Sequence, residues 1–204
     1  MIFGTKKPRP IADFDMGLVD GWQWVDTEDP RWPDQLAADL GLTGAERQNL
    51  SGQLGAVAAR VKEIGADRDG AGSLVWIPPQ DQARVRCVLS FRLTNPYEGG
   101  PGAYEGYLAA DEGRREPGRR YDIVQTWRGT APIGDVVGAY NVITYTDLLE
   151  DAPRSEARTL FGVFPTGASQ MFEFVFTSDD LDGFTDMVER TSEWVATLTV
   201  ELEK

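Results

Sequence analysis

Residues 171–177 read Met-Phe-Glu-Phe-Val-Phe-Thr, which is the cleanest alternation in the chain. Phe172, Phe174 and Phe176 occupy every second position of this stretch. Because successive side chains of a β-strand point to opposite faces of the sheet, the spacing predicts a strand with one buried aromatic face and one mixed face. A buried aromatic face needs a covering layer, so we expect a helix to pack against it.

The residues that follow predict this covering helix. Ser178, Asp179 and Asp180 are of the types favoured at helix starts, and the helix dipole favours carboxylates such as Asp182 in the first turn. The carboxylates therefore have a structural explanation, and no flanking ligand pattern predicts a metal site. The inward stripe of the helix is expected to consist of Leu181, Phe184, Val188, Thr191 and Val195. Residues 197–202 alternate again and predict a closing strand.

A long helix is predicted in the N-terminal half. Pro33 opens a short helix that Gly41 ends. Thr43 and Glu46 then have the spacing of a capping box, and the predicted helix over 44–64 carries apolar residues at steps of four and three. These residues are Leu50, Leu54, Val57, Val61 and Ile64. Such a stripe most simply packs on the chain's own sheet, and the alternative is an exposed seam for a partner.

The remaining apolar runs alternate with a period of two. They cover residues 73–77, 83–93, 121–128, 136–145, 157–164 and 169–177. Turn residues between them predict antiparallel hairpins. The chain is thus predicted to be a single α+β domain over residues 1–204, in which an antiparallel β-sheet is flanked by the long helix of the N-terminal half and a C-terminal amphipathic helix. Residues 1–12 are expected to form a flexible N-terminal tail.

The composition excludes most familiar catalytic machinery. The 204 residues include no histidine and one cysteine, Cys87. Ser-His-Asp relays, Cys-His pairs, His-ligated metal sites and paired-cysteine redox centres all need residues that this chain lacks. We therefore expect a non-enzymatic protein with no cofactor and no metal. Cys87 lies in the apolar run 85–91, where alternation places it inward, so a buried structural thiol is predicted.

The charge is strongly negative and unevenly distributed. The net charge is −13, and residues 129–204 hold 4 basic and 14 acidic side chains. Such a field repels phosphate backbones, so nucleic acid and anionic membranes are not expected as partners, whereas a protein partner is. No apolar run is long enough for a secretory signal or a membrane span, which predicts a cytoplasmic protein without membrane insertion.

The segment 95–120 is the least ordinary part of the chain. Its 26 residues hold six glycines and three prolines, which predicts a long loop, and long loops in compact domains are often functional. Arginines in this segment are suited to grip an acidic group, and tyrosines supply contact area. The predicted partner-binding residues are Tyr97, Tyr104, Tyr107, Arg114, Arg115, Arg119 and Arg120. The alternative is that the arginines are solvated or paired with the acidic last third.

The order of the predicted elements resembles the PsbP-like superfamily. The features that carry the resemblance are Gly-Trp-Gln-Trp-Val at 21–25, the helix and strands after it, and Phe-Glu-Phe-Val-Phe-Thr-Ser-Asp-Asp at 172–180 before the last helix and strand. The likeness spans residues 14–202 and departs from the pattern in the segment 95–120 and the extended helix 44–64. That superfamily includes photosystem extrinsic subunits, a Ran-binding nuclear transport factor and bacterial chaperone or adaptor proteins. The resemblance implies an α+β sandwich that binds protein partners, with no catalytic residues to carry over.

Two functional hypotheses follow. The first is an adaptor or chaperone-like domain that binds another protein through the open face of the sheet or through the segment 95–120, and a homodimer is compatible with it. The second is a small-molecule-binding domain or a weak hydrolase that uses carboxylates such as Glu173 or Asp122. An aromatic pocket for this second function is expected from Trp127, Tyr140 and Tyr145. A large concave pocket with converging carboxylates favours the second hypothesis, and a flat or grooved face with exposed aromatic side chains favours the first.

Overall fold

The computed structural model describes residues 7–66, 70–112, 114–146 and 153–204. In chain order the elements are β1 (Ile11–Asp15), β2 (Trp22–Trp24), α1 (Trp32–Asp39), α2 (Gly44–Ile64), β3 (Ala71–Trp76), β4 (Cys87–Thr94), α3 (Gly100–Ala109), β5 (Arg115–Glu116), β6 (Arg119–Ala131), β7 (Gly134–Tyr145), β8 (Arg154–Pro165), β9 (Met171–Ser178), α4 (Met187–Ala196) and β10 (Thr199–Leu202). Helices thus flank strands that pair antiparallel, which confirms the predicted α+β fold.

The main sheet has eight strands in the order β2-β3-β4-β9-β8-β7-β6-β5, and β1 pairs with β10 in a separate ribbon. Strand β9, which the alternation predicted, lies in the interior between β4 and β8. Phe174 stands opposite Phe91 on one side and Phe161 on the other. We define the first face of the sheet as the one that carries Phe172, Phe174 and Phe176, and the second face as the one that carries Met171, Glu173, Val175 and Thr177.

The first face holds the largest core. Phe172, Phe174 and Phe176 are fully buried there. The ring of Trp194, on α4, lies 5.9 Å from that of Phe176, and the ring of Phe14, on β1, lies 4.9 Å from that of Phe172. The covering helix is therefore confirmed, and the ribbon of β1 and β10 completes the layer.

The start of this helix was predicted wrongly, because α4 begins at Met187 and not at Ser178. The Ser178 hydroxyl donates to the carbonyl of Arg86 at 2.7 Å, and Asp180 forms an ion pair with Arg86. Asp180 also accepts the N–H of Gly183 at 3.2 Å. These contacts hold the residues after β9 in turns, so Ser178 and Asp180 fix a loop and do not cap a helix.

The predicted tail over 1–12 overlaps strand β1. The N–H of Arg9 donates to the carbonyl of Gly167 at 3.0 Å, and Ile11 pairs with Leu202. Arg9 and Ile11 are therefore hydrogen-bonded to the rest of the domain, so the prediction of a flexible tail is wrong over residues 7–12. Residues 1–6 lie outside the described part.

Helix α2 covers one end of the second face. Its Leu50 and Leu54 are fully buried against Val75 of β3 and Ile77. The helix ends at Gly65, whose φ of 68° is the left-handed conformation that glycine adopts at helix ends. The predicted helix over 44–64 is thus confirmed in its bounds, although the side chain of Thr43 makes no capping hydrogen bond.

Helix α3 covers the other end of the second face and corrects the predicted loop over 95–120. Tyr104 and Leu108, four residues apart, are buried against Val137 and Ala139 of β7. Packing of this pair stabilises a helix whose glycine content alone disfavours it. Pro101 in the first turn was the available sequence signal for its start.

Gly162 permits the close approach of α3. A Cβ atom at this position would lie 2.4 Å from Cε1 of Tyr104. We expect Gly162→Ala to lower the free energy of unfolding by about 2 kcal/mol, because the ring must shift away from the sheet. Gly129→Ala on β6 is the matched control, since a Cβ there meets no atom within 4 Å. Equal urea denaturation midpoints for the two variants would contradict this packing.

Candidate functional site

A groove of about 710 Å³ lies between α2 and the second face of the sheet. Its wall is formed by α2 and its floor by β4, β9 and β8. Charged side chains of β6 and β8, together with Tyr145 of β7, lie at one end. The residues of the wall and floor, taken together, are Gln53, Ala56, Val57, Arg60, Val61, Ile64, Val88, Ser90, Val175 and Thr177.

The wall of the groove is the second half of the apolar stripe of α2. Leu50 and Leu54 pack on the sheet as predicted, whereas Val57, Val61 and Ile64 line the groove. Ile64 is 62% exposed. The first half of the stripe therefore packs on the chain's own sheet, as predicted, and the second half borders the groove.

The floor is aliphatic with hydroxyl groups. Val88, Val175 and Thr177 are half-buried, and the hydroxyl of Ser90 lies 2.9 Å from that of Ser73. Cys87 is 1% exposed, and burial raises the pKa of its thiol. The prediction of a buried structural thiol is confirmed, and this residue contributes no reactive thiolate to the groove.

A buried carboxylate lies at the charged end of the groove. Glu156 accepts a hydrogen bond of 3.0 Å from Nη1 of Arg60 on α2 and another from Nε of Arg158 on β8. Burial alone would raise the pKa of the Glu156 carboxyl, but the charges of Arg158 and Arg60 outweigh burial and hold that pKa below its ordinary value. Glu156 thus stays ionised and ties α2 to the sheet.

Tyr145 lies among arginines at the same end. Nη2 of Arg158 donates to the Tyr145 hydroxyl at 2.5 Å, and the Arg154 guanidinium lies 5.2 Å from the centroid of the Tyr145 ring. Within the described residues Arg154 has no carboxylate partner. Among the described residues, five arginines and two carboxylates line the groove, which makes this lining basic in a chain of net charge −13.

The three predicted tyrosines come together beside α3. The ring of Tyr97 lies 5.5 Å from those of Tyr104 and Tyr107. Tyr104 is buried and donates to Oε1 of Glu173 at 3.0 Å, and burial raises the pKa of its hydroxyl. Tyr97 is 38% exposed and Tyr107 is 56% exposed. We call these two residues the exposed tyrosine pair.

Three of the predicted arginines are paired with carboxylates that lie close to them in the sequence. Arg114 pairs with Asp111 at 2.9 Å and also with Glu116, while Arg119 pairs with Glu116 and Arg120 with Asp122. The alternative prediction, that these arginines pair with carboxylates of the chain, is correct. The carboxylates shown here are close to the arginines in the sequence, however, and do not lie in the acidic last third. Of this set, Arg119 also lines the groove. The side chain of Arg115 lies outside the described residues.

The predicted aromatic pocket does not form. Tyr145 lines the groove on the second face, whereas Trp127 and Tyr140 pack against the core of the first face. The ring of Trp127 lies 5.9 Å from that of Phe161. The sheet itself separates these residues, because side chains of opposite parity point to opposite faces.

The candidate catalytic carboxylates are also engaged. Glu173 accepts from Tyr104 and pairs with Arg92, and Asp122 accepts from Arg120 and from the Thr144 hydroxyl at 2.5 Å. In the described ranges, no group of three or more Cys, Asp and Glu side chains is placed to hold a metal ion.

Sequence reasoning missed the groove residues Arg60, Arg154, Glu156 and Arg158. A signal for part of the set was present on β8. Arg154, Glu156 and Arg158 alternate with Ser155, Ala157 and Thr159, of which Ala157 and Thr159 are buried. Charged residues at every second position mark one polar face of a strand. Arg60 carried no such signal, because its partner lies 96 residues away.

Comparison with known proteins adds little about this site. No family model matches the chain, and no curated protein sequence matches it. A solved structure, the crystal structure of LpqN involved in cell envelope biogenesis of Mycobacterium tuberculosis, is similar with 13% sequence identity and a TM-score of 0.44, covering 97% of this chain and 87% of that chain. At this identity and TM-score the likeness carries no conclusion about function. No helix in the described part of this chain is long and apolar enough to cross a membrane.

Proposed function

We propose that the chain is a non-enzymatic binding domain whose ligand site is the groove between α2 and the second face of the sheet. The observation that carries the proposal is the combination of an aliphatic wall and floor with charged groups gathered at one end. Small-molecule sites have this character, with mostly apolar linings, a few placed polar groups and volumes of roughly 300–1,000 Å³. The groove volume of about 710 Å³ falls in that range.

The state of the carboxylates supports binding over hydrolysis. A general acid must hold a proton near neutral pH, which requires a raised carboxyl pKa. The pKa of Glu156 is lowered, and both of its oxygens accept hydrogen bonds from arginines. Glu156 therefore suits a structural role at the end of a binding site.

A groove-filling variant tests the proposal. Ala56 is exposed on α2 and lines the groove, whereas Ala59 is exposed on the same helix and does not line it. We expect Ala56→Trp to abolish the rise in Tm that a small-molecule library produces with the wild type, because the indole occupies the ligand's space. Ala59→Trp is expected to keep that rise. Ligands that stabilise both variants equally, or no stabilising ligand at all, would contradict the groove as the site.

A second function, binding of a protein partner, is favoured by the exposed tyrosine pair. Tyrosine is enriched at the energetic centres of protein interfaces, and Tyr97 and Tyr107 are held in place by their contact with buried Tyr104. An adaptor role of the kind that the PsbP-like resemblance implies would use this surface.

The exposed tyrosine pair is tested by Tyr107→Ala. We expect a change in the free energy of unfolding within about 0.5 kcal/mol, because the side chain is 56% exposed. Capture of a protein partner from the host lysate is expected to fall at least tenfold. Trp24→Ala removes another exposed aromatic side chain, 61% exposed on β2, and serves as the control. Equal capture by both variants would exclude the exposed tyrosine pair as the contact.

A further inference from the structure

We propose that the ligand of the groove is a long-chain carboxylate, with its carboxylate at the Tyr145 end and its alkyl chain along the wall of α2. This inference rests on the proposed function and specifies the class of ligand. It is carried by the charge balance at one end of the groove, by the aliphatic character of the rest, and by the position of Arg154.

The charge balance favours an anion. Arg60 and Arg158 share the carboxylate of Glu156, and Arg119 pairs with Glu116. Each of these guanidinium groups already faces a carboxylate of the chain. Arg154 is the groove arginine at this end that lacks one among the described residues. Because Arg60 and Arg158 share one carboxylate, the described charges at this end of the groove sum to a positive excess, which an anionic head group offsets.

The Arg154 side chain is placed to receive a carboxylate. It is exposed, and its guanidinium is positioned 5.2 Å from the centroid of the Tyr145 ring. Stacking on an aromatic face leaves the N–H groups along the edge of the guanidinium plane free for hydrogen bonds. A carboxylate meets two of those N–H groups at once, and this bidentate geometry makes the pair stronger than a contact with a neutral oxygen.

The rest of the groove favours an alkyl chain. Val57, Val61 and Ile64 line the wall, opposite Val88 and Val175 of the floor. These side chains are aliphatic and branched, and they offer apolar area without aromatic rings for stacking. Residues 57–64 extend for roughly 10 Å along the helix, which is long enough to cover a chain of about eight methylene groups. Burial of each methylene contributes about 0.8 kcal/mol.

The test uses dodecanoate as the probe, below its micelle-forming concentration, with dodecanol and dodecyl phosphate as comparison ligands. Binding is measured by isothermal titration calorimetry to the full chain. Arg154→Gln removes the guanidinium that stacks on Tyr145, and Arg47→Gln, at an exposed residue near the other end of α2, changes the net charge equally. We expect dodecanoate to bind the wild type and Arg47→Gln alike, and to bind Arg154→Gln at least tenfold more weakly.

The comparison ligands show which head group the groove binds most tightly. Dodecanol is expected to bind the wild type at least tenfold more weakly than dodecanoate, and dodecyl phosphate no more tightly than dodecanoate. Equal binding of dodecanoate and dodecanol, or an unchanged Kd in Arg154→Gln, would overturn the inference. If a ligand without a carboxylate binds the wild type and Ala56→Trp abolishes that binding, the groove remains the site and only the ligand class is wrong. If Ala56→Trp weakens the binding of none of the probes, the proposed function is wrong as well.

Discussion

Phe174→Ala is expected to lower the free energy of unfolding by about 4 kcal/mol, the largest effect that we predict for a single substitution. Phe174 is fully buried on the central strand β9. Its ring is stacked 5.5 Å from that of Phe172 and lies 6.2 Å from that of Phe91. Removal of the ring leaves a cavity that the neighbouring strands cannot close, because their backbones are fixed by the sheet.

Urea denaturation monitored by circular dichroism measures this effect. Val19→Ala is the control, since Val19 is an apolar residue that is 46% exposed in the loop before β2. That variant is expected to change the free energy of unfolding by less than about 0.5 kcal/mol. A loss below about 1 kcal/mol for Phe174→Ala would contradict its place in the core.

Glu156→Ala is expected to lower the free energy of unfolding by about 3 kcal/mol. The Glu156 side chain is 6% exposed, and it faces Arg60 and Arg158. Without it, two positive charges at the end of the groove lose their shared partner, and α2 loses its ion pair to the sheet. Glu193→Gln on the exposed side of α4 is the control for removal of a carboxylate.

The effect of Glu156 is expected to depend on pH. Because the arginines hold the folded-state pKa of Glu156 below its ordinary value of 4.5, its ionised form stabilises the fold fully above about pH 4.5. This stabilisation is lost as the pH falls through the lowered pKa. The difference in the free energy of unfolding between the wild type and Glu156→Gln should therefore be constant near neutral pH and shrink in acid. A difference that grows in acid would contradict the lowered pKa.

Elements with strong local periodicity were predictable. The alternation at 171–177 gave the central strand β9, and the four-and-three spacing of apolar residues gave α2 with its end at Gly65. In both cases the pattern is repeated over several turns or pleats, so many residues that are close in the sequence indicate the same element.

Elements that depend on distant contacts were missed or misplaced. Helix α3 forms in a glycine-rich segment because Tyr104 packs over Gly162, far along the chain. The predicted start of α4 at Ser178 was wrong because Asp180 is held by Arg86, which lies 94 residues earlier. Local propensity favours a cap at Ser178, and a long-range ion pair overrides it.

The sequence by itself determined the class of fold, the aromatic face that forms the core, and the absence of histidine and paired-cysteine chemistry. These properties depend on composition and on spacing along the chain. Only the tertiary structure decided which charges meet. Arg60 and Glu156 lie 96 residues apart and form the ion pair at the end of the groove, whereas the arginines at 114 and 120 are paired close by. The groove exists because of the position of α2 over the sheet. The spacing of residues within the helix or within a strand does not determine that position.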